Sequence, residues 1–73
     1  MQIQINGEQR EFEKDSLSIN ELVDELSLTA QRIAVEVNKT IVPRSLWETT
    51  MLSDGDRIEI VHFVGGGVSE ARP

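Results

Sequence analysis

A chain of 73 residues makes one domain with a small core, since a domain of this size buries only about 60% of its unfolded surface. Thirteen acidic side chains against seven basic ones give a net charge of −6, which excludes a surface built to replace phosphate counterions and so argues against a nucleic-acid partner. With no cysteine there is neither a disulfide framework nor a thiolate metal site, no apolar run reaches membrane-spanning length, and the N-terminus lacks a signal-peptide pattern; the expectation is a soluble, cytoplasmic protein, monomeric when free.

Gln2 to Asn6 alternates, with Ile3 and Ile5 on one face, and predicts a half-buried strand. Asn6-Gly7 then supplies the two residues that tolerate positive φ in a type I′ hairpin turn. The return strand is expected from Glu8 to about Glu13, with Phe12 facing the core. Ser18 and Glu21 have capping-box spacing at a helix start, and Leu17 and Leu22 can close a hydrophobic staple across it. Ile19, Leu22, Val23 and Leu26 form one apolar stripe, while Asn20, Glu21, Asp24 and Glu25 take the wet side.

Ile33, Val35 and Val37 alternate in a further strand, and Asn38-Lys39 turns the chain into the short step Thr40-Ile41-Val42. Pro43 ends pairing there because it has no N–H to donate. Ser45 and Glu48 repeat the capping-box spacing, which predicts one or two helical turns around Trp47, a residue read as a core plug. Ser53-Asp54-Gly55-Asp56 has turn chemistry and launches a last strand with Ile58 and Ile60 inward, Arg57 and Glu59 outward. Strand, strand, helix, strand, short strand, strand gives an α+β chain, with a mixed sheet and one main helix packed on one face. In so small a domain this is the β-grasp, or ubiquitin-like, fold, expected over residues 1–64.

Conventional catalysis has little to draw on. His62 is the only histidine and reads as a strand-end side chain; the serines and threonines have no general base at recognisable spacing. The pairs Asp24/Glu25 and Asp54/Asp56 read as a solvated helix face and a turn, and no ligand pattern calls for a metal. Gly65, Gly66 and Gly67 lack the Lys-Ser/Thr and following helix of a phosphate loop. They read instead as a thin, flexible arm over residues 65–67 that reaches roughly 10 Å when extended, suited to enter another protein's active site. Val61 and Phe63, just before the arm, should point outward. Two readings stay open for them: a docking patch, or residues covered by a local bulge or the chain end.

Asn38-Lys39-Thr40-Ile41-Val42-Pro43-Arg44-Ser45-Leu46-Trp47, then Asp54-Gly55-Asp56-Arg57-Ile58, then Val64-Gly65-Gly66-Gly67, resembles the ThiS family of sulfur carriers in thiamine biosynthesis, and the match covers residues 1–67. The resemblance implies a protein-bound substrate rather than an enzyme. Its reacting end would be Gly66 and Gly67, the Gly67 carboxylate being adenylated by a ThiF-like adenylyltransferase. ATP and Mg²⁺ belong to that enzyme, and the carrier itself binds no cofactor. Sulfur from a donor protein then replaces AMP, and the thiocarboxylate passes to a ThiG-like thiazole synthase. Val61 and Phe63, from their outward parity, together with Val64 and Gly65 beside the arm, are the expected partner-binding residues.

The chain departs from that pattern where Val68-Ser69-Glu70-Ala71-Arg72-Pro73 follows the glycines, because the carbonyl of Gly67 then belongs to a peptide bond. Either a protease removes residues 68–73 or the extension marks a diverged member. The small subunit of molybdopterin synthase, a TGS-like module and a non-catalytic ubiquitin-like interaction module are the alternatives.

Overall fold

A computed structural model of the chain describes residues 1–63. The expected end of the domain at Val64, the arm at 65–67 and the extension at 68–73 lie outside the described residues.

The first hairpin follows from its turn. Strand β1 (Gln2–Ile5) and strand β2 (Glu8–Glu11) pair antiparallel with Ile5 opposite Glu8, and Asn6 (φ 49°) and Gly7 (φ 86°) both take the left-handed backbone of a primed turn. β2 ends two residues earlier than its expected end at Glu13. Phe12 sits just past it, half-buried against the core, with its N–H donating to the carbonyl of Met1 (2.8 Å).

Two-residue strand β3 (Leu17–Ser18) runs directly into helix α1 (Ile19–Glu25). The Ser18 and Glu21 capping box is present in both directions. The Glu21 N–H donates to Ser18 Oγ (3.1 Å), and the Ser18 N–H donates to Glu21 Oε1 (2.9 Å). The next two N–H groups, of Ile19 and Asn20, find the carbonyls of Thr50 and Trp47. Ile19, Leu22 and Val23 are buried, while Leu26, at the end of the stripe, is half-buried. The helix stops after seven residues because Ser27 turns left-handed (φ 57°): its N–H donates to Asp24, and that of Leu28 to Val23. This pair of bonds is the Schellman closure, here without the usual glycine.

A 3₁₀ turn at Ala30–Arg32 leads into strand β4 (Ile33–Val37), which pairs antiparallel with strand β5 (Thr40–Val42). Asn38 (φ 51°) and Lys39 (φ 74°) make the second primed turn. The second capping box does not form. Arg44–Leu46 is a single 3₁₀ turn with Pro43 at its N-cap and no side-chain cap, and Ser45 is exposed. Pro43, with its fixed φ of −60°, starts the turn two residues too early for Ser45 to cap it. The Thr50 hydroxyl closes the far end on the carbonyl of Leu46 (2.7 Å). Strand β6 (Met51–Leu52) then pairs with β3 in a small second sheet that the sequence reading did not foresee.

Strand β7 (Arg57–His62) completes the main sheet, whose order is β2-β1-β7-β4-β5. β7 is parallel to β1 and antiparallel to β4, so the sheet is mixed as expected. Ile3, Ile5, Ile33, Val35, Ile58 and Ile60 line its inner face. Leu17, Ile19, Leu22, Val23, Trp47 and Leu52 close over them, and all twelve are buried.

Candidate functional site

The strand nearest the glycines lies in the middle of the sheet. Its start is fixed by the turn before it: the Asp56 N–H donates to the Ser53 carbonyl, the Ser53 N–H donates to Asp56 Oδ2, and Gly55 adopts φ 90°. The same turn is tied to β1 through the Gly55 N–H on the Gln2 carbonyl (2.7 Å) and the Gln2 N–H on Asp54 Oδ1 (2.6 Å). Asp54 and Asp56 are therefore turn acceptors, as read from the sequence.

From Arg57 onward β7 alternates with period two. Ile58 and Ile60 are buried; Arg57, Glu59 and Val61 face the open side of the sheet. Val61 is 53% exposed opposite Ala34, and Phe63 is 51% exposed one residue past the strand, where its N–H donates to the carbonyl of Arg32 (2.8 Å). Both residues are thus outward, and no bulge or neighbouring segment among the described residues covers them. His62 is exposed at the strand end opposite Ile33, and no acid or hydroxyl among the described residues is bonded to its ring. Val64, Gly65, Gly66 and Gly67 lie outside the described residues.

The open face carries one further apolar residue that the sequence reading did not single out. Ile41 on β5 is 65% exposed and stands opposite Glu36, which in turn faces Glu59 on β7. Val61 and Ile41 thus flank an acidic pair on a single face of three adjacent strands. The Thr40-Ile41-Val42 step was visible in the sequence. Its register against β4, which decides that Ile41 rather than Val42 turns to solvent, was not.

Elsewhere the surface of the described residues offers no catalytic set. A cleft of about 660 Å³ between the first hairpin and α1 is lined by Arg10, Phe12, Lys14, Glu25 and Leu26 among others, and Lys14 pairs with Glu25 at 3.6 Å across half-exposed side chains. Such a pair contributes little energy. Glu21 has its carboxyl held below the usual glutamate range, first by the hydrogen bond from the Ser18 N–H and then by the charge of Lys14. This is a helix cap rather than a poised acid. Among the described residues no three His, Asp or Glu side chains converge as a metal site would require, and no helix is long and apolar enough to cross a membrane.

Comparison with known proteins places this geometry. The ThiS family model matches residues 3–67, a span that takes in the glycines and all of the sheet except Gln2. The sulfur carrier protein ThiS of Bacillus subtilis is 40% identical over 89% of this chain and 98% of its own length. A thiazole synthase of Paramagnetospirillum magneticum is 42% identical over 71 residues, or 97% of this chain, so the likeness runs past Gly67; the chain spans only 22% of that longer protein. The crystal structure of the thiamine biosynthesis protein ThiS from Geobacter metallireducens superposes with a TM-score of 0.83 at 32% identity, covering 92% of this chain and all of that one. Fold, sequence and the glycine-bearing end agree: the chain belongs to the ThiS family, and its sheet and helix are the β-grasp of that family.

Proposed function

We propose that the chain is a sulfur carrier for thiamine biosynthesis that serves other enzymes as a protein-bound substrate. The observation that carries this reading is β7. It leaves the centre of the sheet with Val61 and Phe63 exposed on the open face, four and two residues before Gly65. A docking surface thereby lies within a few residues of a thin backbone end. Relatives named as sulfur carrier proteins support the class, and two relatives named thiazole synthase that contain a similar segment support a ThiG-like synthase as acceptor.

In the proposed reaction the Gly67 carboxylate attacks the α-phosphate of ATP in a ThiF-like enzyme, and pyrophosphate leaves. A free carboxylate is a poor electrophile, because attack on it must expel oxide; the acyl adenylate expels AMP instead. Sulfur delivered by a donor protein at the sulfide level attacks the Gly67 carbonyl carbon, the bond from that carbon to the AMP oxygen breaks, and a thiocarboxylate and AMP result. Tethering to the folded domain raises the effective concentration of that sulfur at the acceptor. Gly66 and Gly67 keep the arm narrow enough for a channel and leave the carbonyl open to attack.

Because Val68 to Pro73 follow Gly67, the carboxylate has to be freed first by cleavage after Gly67. ATP–pyrophosphate exchange with the cognate adenylyltransferase tests the reading. A chain ending at Gly67 should support exchange, while residues 1–73 should not until cut. No exchange from the shortened chain, with an enzyme active on another carrier, would overturn it. In cells, Val68→Pro should block release of the Gly67 end and abolish the thiocarboxylate, with the melting temperature unchanged.

A further inference from the structure

β7 is supported unequally on its two flanks. Phe63 donates to Arg32, and Arg57 accepts from Asn38 (2.7 Å), so the odd-numbered residues of β7 direct their backbone groups towards β4. The even-numbered residues therefore face β1. The β1–β7 ladder, however, pairs only Gln4 with Arg57 and Ile5 with Ile58, after which the chain turns away at Gly7.

Asn6 fills the gap. Its backbone N–H donates to the carbonyl of Ile58 (2.9 Å). Its side-chain amide then imitates one more residue of strand: Oδ1 accepts from the Ile60 N–H (2.8 Å), and Nδ2 donates to the Ile60 carbonyl (3.2 Å). Beyond the Ile5–Ile58 pair, every bond that β7 receives on this flank among the described residues comes from Asn6. The left-handed turn conformation (φ 49°) is what folds the amide back along the strand.

We propose that Asn6 is a positioning residue for the reacting end. By fixing the β1 flank of Ile60, it holds the direction in which β7 presents Val61 and Phe63, the last described residues before the glycine-bearing end. The inference rests on the carrier reading for its kinetic consequence only. Docking through Val61 and Phe63 sets KM, whereas alignment of the end sets kcat, because a misaligned carboxylate loses the near-attack geometry.

Asn6→Gly tests this, since glycine keeps the positive φ of the turn and deletes only the amide. Two hydrogen bonds of ordinary strength correspond to amide exchange at Ile60 faster by about 10- to 100-fold. In a chain ending at Gly67, adenylation should lose about tenfold in kcat with KM within about twofold of the parent. Asn6→Asp, which retains the acceptor for the Ile60 N–H, should fall between the two. Val23→Ala in α1 is the control for simple destabilisation: it should speed exchange at Ile60 no more than at the other core amides and leave kcat unchanged. Unaltered exchange at Ile60 in Asn6→Gly overturns the proposal whether or not the chain is adenylated. So does a kcat equal to that of the parent. A parent chain that is not adenylated at all would sink the carrier reading instead, while the exchange result would still decide the role of Asn6 in holding β7.

Discussion

The indole Nε1 of Trp47 donates a 2.9 Å hydrogen bond to the main-chain oxygen of Val42, five residues upstream. The side chain is 2% exposed, so one residue both fills part of the core and satisfies the backbone where β5 stops at Pro43. Trp47→Phe retains most of the apolar volume but leaves that oxygen unpaired, for an expected loss of about 1–3 kcal/mol. Trp47→Ala should cost about 3–5 kcal/mol. Urea denaturation of the two variants separates the packing share from the hydrogen-bond share.

The two primed turns offer an internal comparison. Asn6-Gly7 places glycine where φ is 86°, whereas Asn38-Lys39 holds a lysine at φ 74°. A side chain in that region is strained by about 1–2 kcal/mol, partly offset by the extra backbone entropy that glycine loses on folding. Lys39→Gly should therefore raise stability by about 0.5–1 kcal/mol in thermal melts, and Gly7→Ala should lower it, although a Cβ at Gly7 would meet nothing within 4 Å.

Glu21 gives the acid side of the stability profile a definite sign. Its carboxyl is held below the ordinary value of 4.5 in the folded chain, so its contribution is complete above that value and is lost as pH falls through the lowered one. Glu21→Gln keeps an acceptor for the Ser18 N–H but removes the charge. The melting-temperature gap between parent and variant should be widest near neutrality and close on acidification.

Val61→Asp with Phe63→Asp tests the open face. Both side chains are about half exposed, so the double variant should stay within about 1 kcal/mol of the parent in stability. KM for adenylation of a chain ending at Gly67 should rise at least roughly tenfold, since a buried aromatic anchor at an interface is worth about 2 kcal/mol or more. An unfolded double variant would return these residues to the core.

Where the sequence carried a local device, the structure could be read from it. Asn6-Gly7 named its own turn, Ser18 and Glu21 their cap, and the alternation of Arg57 to Val61 gave both faces of β7. The same device misled at Ser45 and Glu48, where spacing matched but Pro43 had already set the turn. β3 and β6 are two residues each, too short for any period, and exist because the start of α1 and the residues after Trp47 are brought side by side. Ser27 closing a Schellman motif and Lys39 in a left-handed turn run against residue preference, so residue type gave no signal for either. In the candidate site, Val61 and Phe63 were legible from parity along one strand. Ile41 and the Asn6 bridge to Ile60 were not, because both depend on register between strands far apart in the chain.

The position of β7 has a mechanical consequence. It is flanked by β1 on one side and β4 on the other, with the small core beneath it. Tension applied through Phe63 acts along the strand, so it loads the ladders on both flanks lengthwise and in shear, and their hydrogen bonds resist together instead of opening one after another. An edge strand in the same place would have one ladder to resist with instead of two. A domain gripped by its end and drawn towards a catalytic centre would accordingly travel as an intact body, and pulling on that end would be a poor way to unravel it.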